Sequence, residues 1–176
     1  MNKFYLIILS VFLLSGCSQI AKEDLNGSYE GTVTYVLKYS QLNLGIPDKQ
    51  VIRKCHARVF TSGVPSIVFL TYEGKSVKKS NGTNLNITGI KLLSDGVRFS
   101  IPHQEIKEDG TTYQIYGNAS YEDTEGNKFD GFLDERNHLN YSYIGLARLN
   151  VKGIELNPTF ELHFQLKKTP PASASL

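Results

Sequence analysis

The feature that most constrains this chain is alternation: from Gly27 onward, apolar and polar residues repeatedly trade places with a period of two. Successive side chains of a strand point to opposite faces, so such a run makes a ribbon with one dry side and one wet side. A helix would spread the same residues around its circumference. Thr159 to Lys168 is the cleanest case, with Phe160, Leu162, Phe164 and Leu166 on one face and Thr159, Glu161, His163, Gln165 and Lys167 on the other. In GSYEGTVTYVLKY, Tyr29, Gly31, Val33, Tyr35, Leu37 and Tyr39 share a face. In VIRKCHARVF, Val51, Cys55, Ala57 and Val59 do, opposite Lys54, His56 and Arg58. VPSIVFLTY reads as apolar on both faces, and LNITGIKLL breaks its alternation around Gly89, which predicts a bulge there.

Further strands are expected in GVRFSI, TTYQIYGNASY, NKFDGFL and HLNYSYIGLARL, and pairs such as Asn81-Gly82, Asp95-Gly96 and Asp109-Gly110 between segments suit hairpin turns. Residues 27–168 therefore predict one all-β domain of eight or nine antiparallel strands in a meander. Open sheet edges invite pairing with other chains, and about eight strands joined by short hairpins can remove them by closing into an up-and-down barrel. A two-sheet sandwich is the competing solution. The interior of so small a barrel is just wide enough to be filled by side chains or to hold one small ligand. Residues 169–176, TPPASASL, predict a disordered tail.

The first residues read differently. Lys3 gives a positive start, Phe4 to Leu14 is an apolar run, and Ser15 and Gly16 are small residues ahead of Cys17. The run is too short for a permanent span, which needs about 20 residues, and predicts a secretory signal peptide over residues 1–16. Leu14-Ser15-Gly16-Cys17 resembles the lipobox of bacterial lipoproteins. The resemblance implies thioether lipidation of Cys17, cleavage between Gly16 and Cys17, and acylation of the new amine, as with palmitate. Each buried methylene contributes about 0.8 kcal/mol, so one acyl chain holds marginally and two or three hold durably. Residues 17–26 are then the lipidated cysteine and a short linker. Cys55, the second of two cysteines, is left without a partner, and its place among alternating apolar positions predicts burial.

The domain opens with LNGSYEGTVTY, where Gly27, Tyr29 and Gly31 precede alternating Thr and Val. This start, following a lipobox, resembles the calycin-like β-barrel lipoproteins of Gram-negative envelopes, with Ser28 where threonine is usual. The resemblance implies a lipocalin-like closed barrel in the cell envelope, as an outer-membrane lipoprotein facing the periplasm or the cell surface. It carries over no catalytic residues and no cofactor.

Nineteen Lys and Arg against seventeen Asp and Glu give a net charge of +2, scattered along the chain, so no footprint for nucleic acid appears. His56, His103, His138 and His163 sit in different segments without metal-ligand spacing, and no serine or cysteine stands in a nucleophile motif. Glu122-Asp123-Thr124-Glu125 is acidic but lacks the alternating ligand spacing of a calcium loop. No enzyme, metal site or cofactor is expected. Tyrosines pair apolar bodies with hydroxyls, and Tyr35, Tyr113, Tyr141 and Tyr143 are the candidate ligand-binding residues, although they suit a barrel core equally well. The expected role is binding, of a small apolar or amphipathic molecule inside the barrel or of an envelope protein partner, at a membrane reached through the lipid anchor. The alternatives are an envelope hydrolase, which would need His56 or His103 beside a carboxylate and a nucleophile, and a structural subunit with a filled barrel.

Overall fold

In a computed structural model the described residues are 24–39, 42, 45, 47–72, 84–108, 111–151 and 153–170. Gly16, Cys17 and the rest of residues 1–23, and residues 171–176 of the tail, lie outside them.

Alternation becomes strand along nearly the whole described chain. The strands are β1 (Gly27–Lys38), β2 (Lys49–Phe60), β3 (Ser66–Tyr72), β4 (Asn84–Thr88), β5 (Lys91–Leu92), β6 (Arg98–Ser100) and β7 (Gln104–Glu108). There follow β8 (Thr111–Gly117), β9 (Tyr121–Glu122), β10 (Lys128–Phe129), β11 (Gly131–Leu133), β12 (His138–Val151), β13 (Ile154–Leu156) and β14 (Thr159–Lys168). No α-helix occurs among the described residues.

One path of hydrogen-bonded neighbours runs β4-β3-β2-β1-β14-β12-β11-β6-β5. Its two ends, β4 and β5, are consecutive in the chain and separated only by Gly89 and Ile90, so the sheet curls until its ends approach each other at that corner. Gly89 turns it at φ +69°, a left-handed conformation that glycine adopts without steric cost. The expected bulge is thus a corner between two strands. Among the described residues no ladder joins β4 to β7 across the seam. Instead the Gln104 side chain accepts from the Thr88 N–H at 3.1 Å and donates to the Thr88 carbonyl at 3.3 Å, copying one rung of pairing. The fold is all-β, a curled antiparallel half-barrel.

A simple meander does not describe the other side. β12 spends its first residues on β11, with Leu139 opposite Leu133, and its later ones on β8, with Ala147 opposite Tyr113. The exchange occurs at Ser142, whose N–H donates to the Asp130 carbonyl at 3.0 Å. Asp130 is buried and braces the change of partner, its carboxylate accepting from the N–H groups of Ile101 at 2.7 Å and Ala119 at 2.6 Å.

Inward positions follow the alternation. Phe160, Leu162, Phe164 and Leu166 of β14 are buried while His163, Gln165 and Lys167 are exposed. β3 carries apolar residues on both faces, as VPSIVFLTY reads. Ile67, Phe69 and Thr71 point inward and are buried, and Val68 and Leu70 lie half-buried outside. Leu25, assigned to the linker, is fully buried and its carbonyl accepts from the Tyr29 hydroxyl at 2.6 Å. It plugs the end of the sheet where β1 starts, a role that alternation could not register for a single residue ahead of the strand. Thr169, assigned to the tail, is held to β1 through its N–H on the Ser28 carbonyl at 2.8 Å.

Candidate functional site

The antiparallel registers stack inward residues of β1, β14 and β12 in rows across the barrel wall. Gly31, Leu166 and Leu139 form one row, then Val33, Phe164 and Tyr141, then Tyr35, Leu162 and Tyr143, then Leu37, Phe160 and Gly145. The rows near the start of β1 are closed by Leu25, Phe99 and Leu139, all fully buried. Toward the far end the rows separate and leave a cavity of about 210 Å³, open at its mouth. Tyr35, Tyr143 and Leu162 lie in its deeper wall, and Tyr113, Ala147 and Phe160 are among the residues nearer the mouth.

Three of the four tyrosines singled out in the sequence, Tyr35, Tyr113 and Tyr143, therefore meet around one space. Tyr141 does not join them. It lies one row deeper, stacked on Phe164 with ring centroids 4.0 Å apart and planes within 7°, and supports the cavity from below. The Tyr35 hydroxyl donates to Thr71 Oγ1 at 3.2 Å. Neither the Tyr141 nor the Tyr143 hydroxyl has a hydrogen-bond partner among the described residues, although both are fully buried. Burial holds the Tyr143 phenol well above its ordinary range, and the nearby Tyr35, Cys55 and Tyr113 groups push in the same direction, so it stays protonated and able to donate.

Phe160 shapes the mouth by way of a glycine. Its ring lies over Gly145, its register partner on β12, in the place a Cβ would take, 2.0 Å from Phe160 Cζ. Sequence alternation marks both residues as inward but cannot show that one occupies the other's side-chain space. Arg53 was missed for a similar reason: it shares the inward parity of Val51 and Cys55, is half-buried, and sets its guanidinium 6.0 Å from the Tyr35 ring centroid. It does not line the cavity.

The other candidates resolve into structural roles. Cys55 is buried, as its alternation predicts, and desolvation pushes its thiol up to about 12. His138 pairs with Asp134 at 3.2 Å, His163 with Glu161 at 3.6 Å, and His103 stacks on Tyr116 with centroids 4.4 Å apart. Asp123 of the acidic turn accepts from Asn127 and Glu125 N–H groups at 2.8 and 2.9 Å and takes Arg98 as an ion-pair partner. Its backbone bond from Asn127 is the main force holding the carboxyl down at about 2. Among the described residues no three of His, Cys, Asp and Glu gather where they could hold a metal ion. A groove of about 790 Å³ runs outside the plugged end past Ser28, Arg58 and Lys168, but it is a polar surface channel. A scan against protein-family models, a search of curated proteins and a search of solved structures each found no match to this chain.

Proposed function

We propose that this protein is a lipid-anchored envelope lipoprotein, held in the membrane by a modified Cys17, whose curled, calycin-like barrel binds a small apolar or amphipathic molecule without transforming it. The observation that carries the reading is the Tyr35, Tyr113 and Tyr143 cavity: concave, mainly apolar, with a few hydroxyls and open at one end. A filled barrel serving as a structural subunit leaves no such space. The lipobox-like Leu14-Ser15-Gly16-Cys17 supports the anchor.

Native mass spectrometry of the full-length protein from its own host tests the binding. The expected result is a stoichiometric small-molecule adduct on the wild type that Gly145→Ala, which drives Phe160 into the space, does not retain. A wild type that is always empty overturns the reading. Labelling with a clickable palmitate analogue tests the anchor: wild type takes up label and Cys17→Ala does not.

A further inference from the structure

Taken through β8 rather than β11, the hydrogen-bonded neighbours run β4-β3-β2-β1-β14-β12-β8-β7, and every junction along that path is an antiparallel ladder. The two end strands, β4 and β7, face each other at Thr88 and Gln104, where the Gln104 side chain makes its two bonds to the Thr88 backbone. In an antiparallel strand a residue's N–H and C=O share one edge, and successive residues use opposite edges. Thr88 turns both groups to Gln104, so Asn86 turns its own to the same seam, while Leu85 and Ile87 turn theirs to β3. Among the described residues no backbone bond runs from Asn86 to β7. One end of β4 is therefore fixed, by Gln104 and by the Ile90 N–H on the Pro65 carbonyl at 3.1 Å, whereas its end toward the mouth is laced to β3 alone. The cavity has walls on both sides of this seam. Leu85 of β4 lines it on one side, and on the other stands Tyr113 of β8, whose register partner Ile106 on β7 packs half-buried against the core.

On the premise that the cavity binds, we propose that the seam makes it adjustable: β4 swings about the Gly89 corner, carrying Leu85 away from Tyr113, and Gln104 is the latch that resists the swing. Separating any other junction on the path breaks a run of backbone bonds. Parting this one releases only the exposed pair between Gln104 and Thr88, so a wall pushed outward from inside yields here first. An apolar cavity of about 150 Å³ accepts benzene, so the resting space of about 210 Å³ suits on the order of eight or nine heavy atoms. With the seam parted, the class of occupant extends to compact molecules of greater girth than that. The latch then sets how much binding energy a wide occupant spends on making room, while a narrow one spends none.

Two neutral probes bearing the same hydroxyl separate the possibilities: phenol, a flat ring that fits the resting cavity, and 1-adamantanol, a globular cage that exceeds it and cannot leave one end outside the mouth. Binding is read from the ¹³C-labelled tyrosine ring resonances of the full-length protein in lipid nanodiscs, with free probe concentrations fixed by dialysis. Gln104→Leu, which keeps a side chain of similar bulk but makes neither bond to Thr88, is expected to tighten 1-adamantanol several-fold to tenfold and to leave phenol within about twofold. The seam is read directly from the dipolar coupling of nitroxides at Asn86→Cys and Glu105→Cys, exposed positions on β4 and β7, with buried Cys55 unlabelled. Without any probe, Gln104→Leu should lengthen and broaden the distances between the labels. With the latch intact, 1-adamantanol should lengthen them and phenol should not. Label distances that neither Gln104→Leu nor 1-adamantanol moves, a 1-adamantanol affinity that Gln104→Leu raises no more than phenol's, or phenol binding with 1-adamantanol excluded from both proteins each overturns the inference while leaving cavity binding intact. Failure of both probes to bind overturns the cavity reading and this inference with it.

Discussion

A buried hydroxyl left without a partner costs the folded state about 1–3 kcal/mol, and the described residues include two, at successive inward positions of β12. Tyr143 is among the residues lining the cavity, whereas Tyr141 is sealed between Phe164 and Phe99. Tyr141→Phe keeps the stacked ring and removes the orphan, so it is expected to raise the unfolding free energy by about 1 kcal/mol in urea titration. A loss of stability would mean that the hydroxyl does have a partner, such as an ordered water. Cys55 makes a second prediction at this scale. Its thiol stays protonated in the folded state up to about 12, against 9.0 when free of the fold. Between those values the unfolded chain has released a proton that the folded one still holds, so stability is intact below about 9 and falls as pH rises toward 12. Cys55→Ala should flatten that alkaline slope, and the native thiol should resist alkylation at pH 8 until the protein is unfolded. Rapid native alkylation of Cys55 would refute its burial.

Glycines decide how the elements fit together. At Gly131 an added Cβ would come within 2.4 Å of Tyr141 Cβ and 2.3 Å of the Phe99 ring, both locked in the core. At Gly145 its three nearest atoms all belong to the Phe160 ring, which borders the cavity and has somewhere to go. Gly145→Ala is therefore expected to cost about 1–3 kcal/mol and to abolish probe binding, while Gly131→Ala costs more in thermal or urea unfolding. If Gly145→Ala bound the probes like wild type, Phe160 would not be the wall that sets the cavity's size. The same comparison shows what a sequence can carry. The inward faces of β1, β2 and β14 were legible because period two is a local property of each strand, and it placed Tyr35 inward, whereas Tyr113 and Tyr143 were singled out by their amphipathic side chains. The exchange of partners along β12 at Ser142, the corner at Gly89 that brings β4 toward β5, and the nesting of Phe160 on Gly145 depend on residues distant in sequence. No local pattern encodes which strand lies alongside which, and Tyr141 was grouped with the cavity because amphipathic chemistry marks a residue type but not a depth.

At the scale of the molecule, the curled sheet has two unlike ends. The described chain enters and leaves at the plugged end, where Asp24 to Asn26 lie beside Lys168 and Thr169, and the cavity opens at the other. An anchor at Cys17 is joined to Asp24 by a segment that reaches at most about 25 Å when fully extended. A twelve-residue strand such as β1, tilted as barrel strands are, rises about 30 Å along the axis. If Cys17 carries the proposed anchor, the tether is shorter than the barrel is tall and keeps the mouth from turning onto the bilayer. On the proposed function a ligand reaches the mouth from the aqueous side, and the plugged end stays near the lipid. Nitroxides test this on vesicles containing nickel-chelating lipid: Val64→Cys, in the exposed loop between β2 and β3 at the plugged end, should relax much faster than Asn157→Cys, exposed beside the mouth. Buried Cys55 stays unlabelled in both variants. Equal relaxation at the two positions would remove the orientation, and faster relaxation at Asn157 would reverse it, turning the mouth to the membrane and making the bilayer itself the source of the ligand.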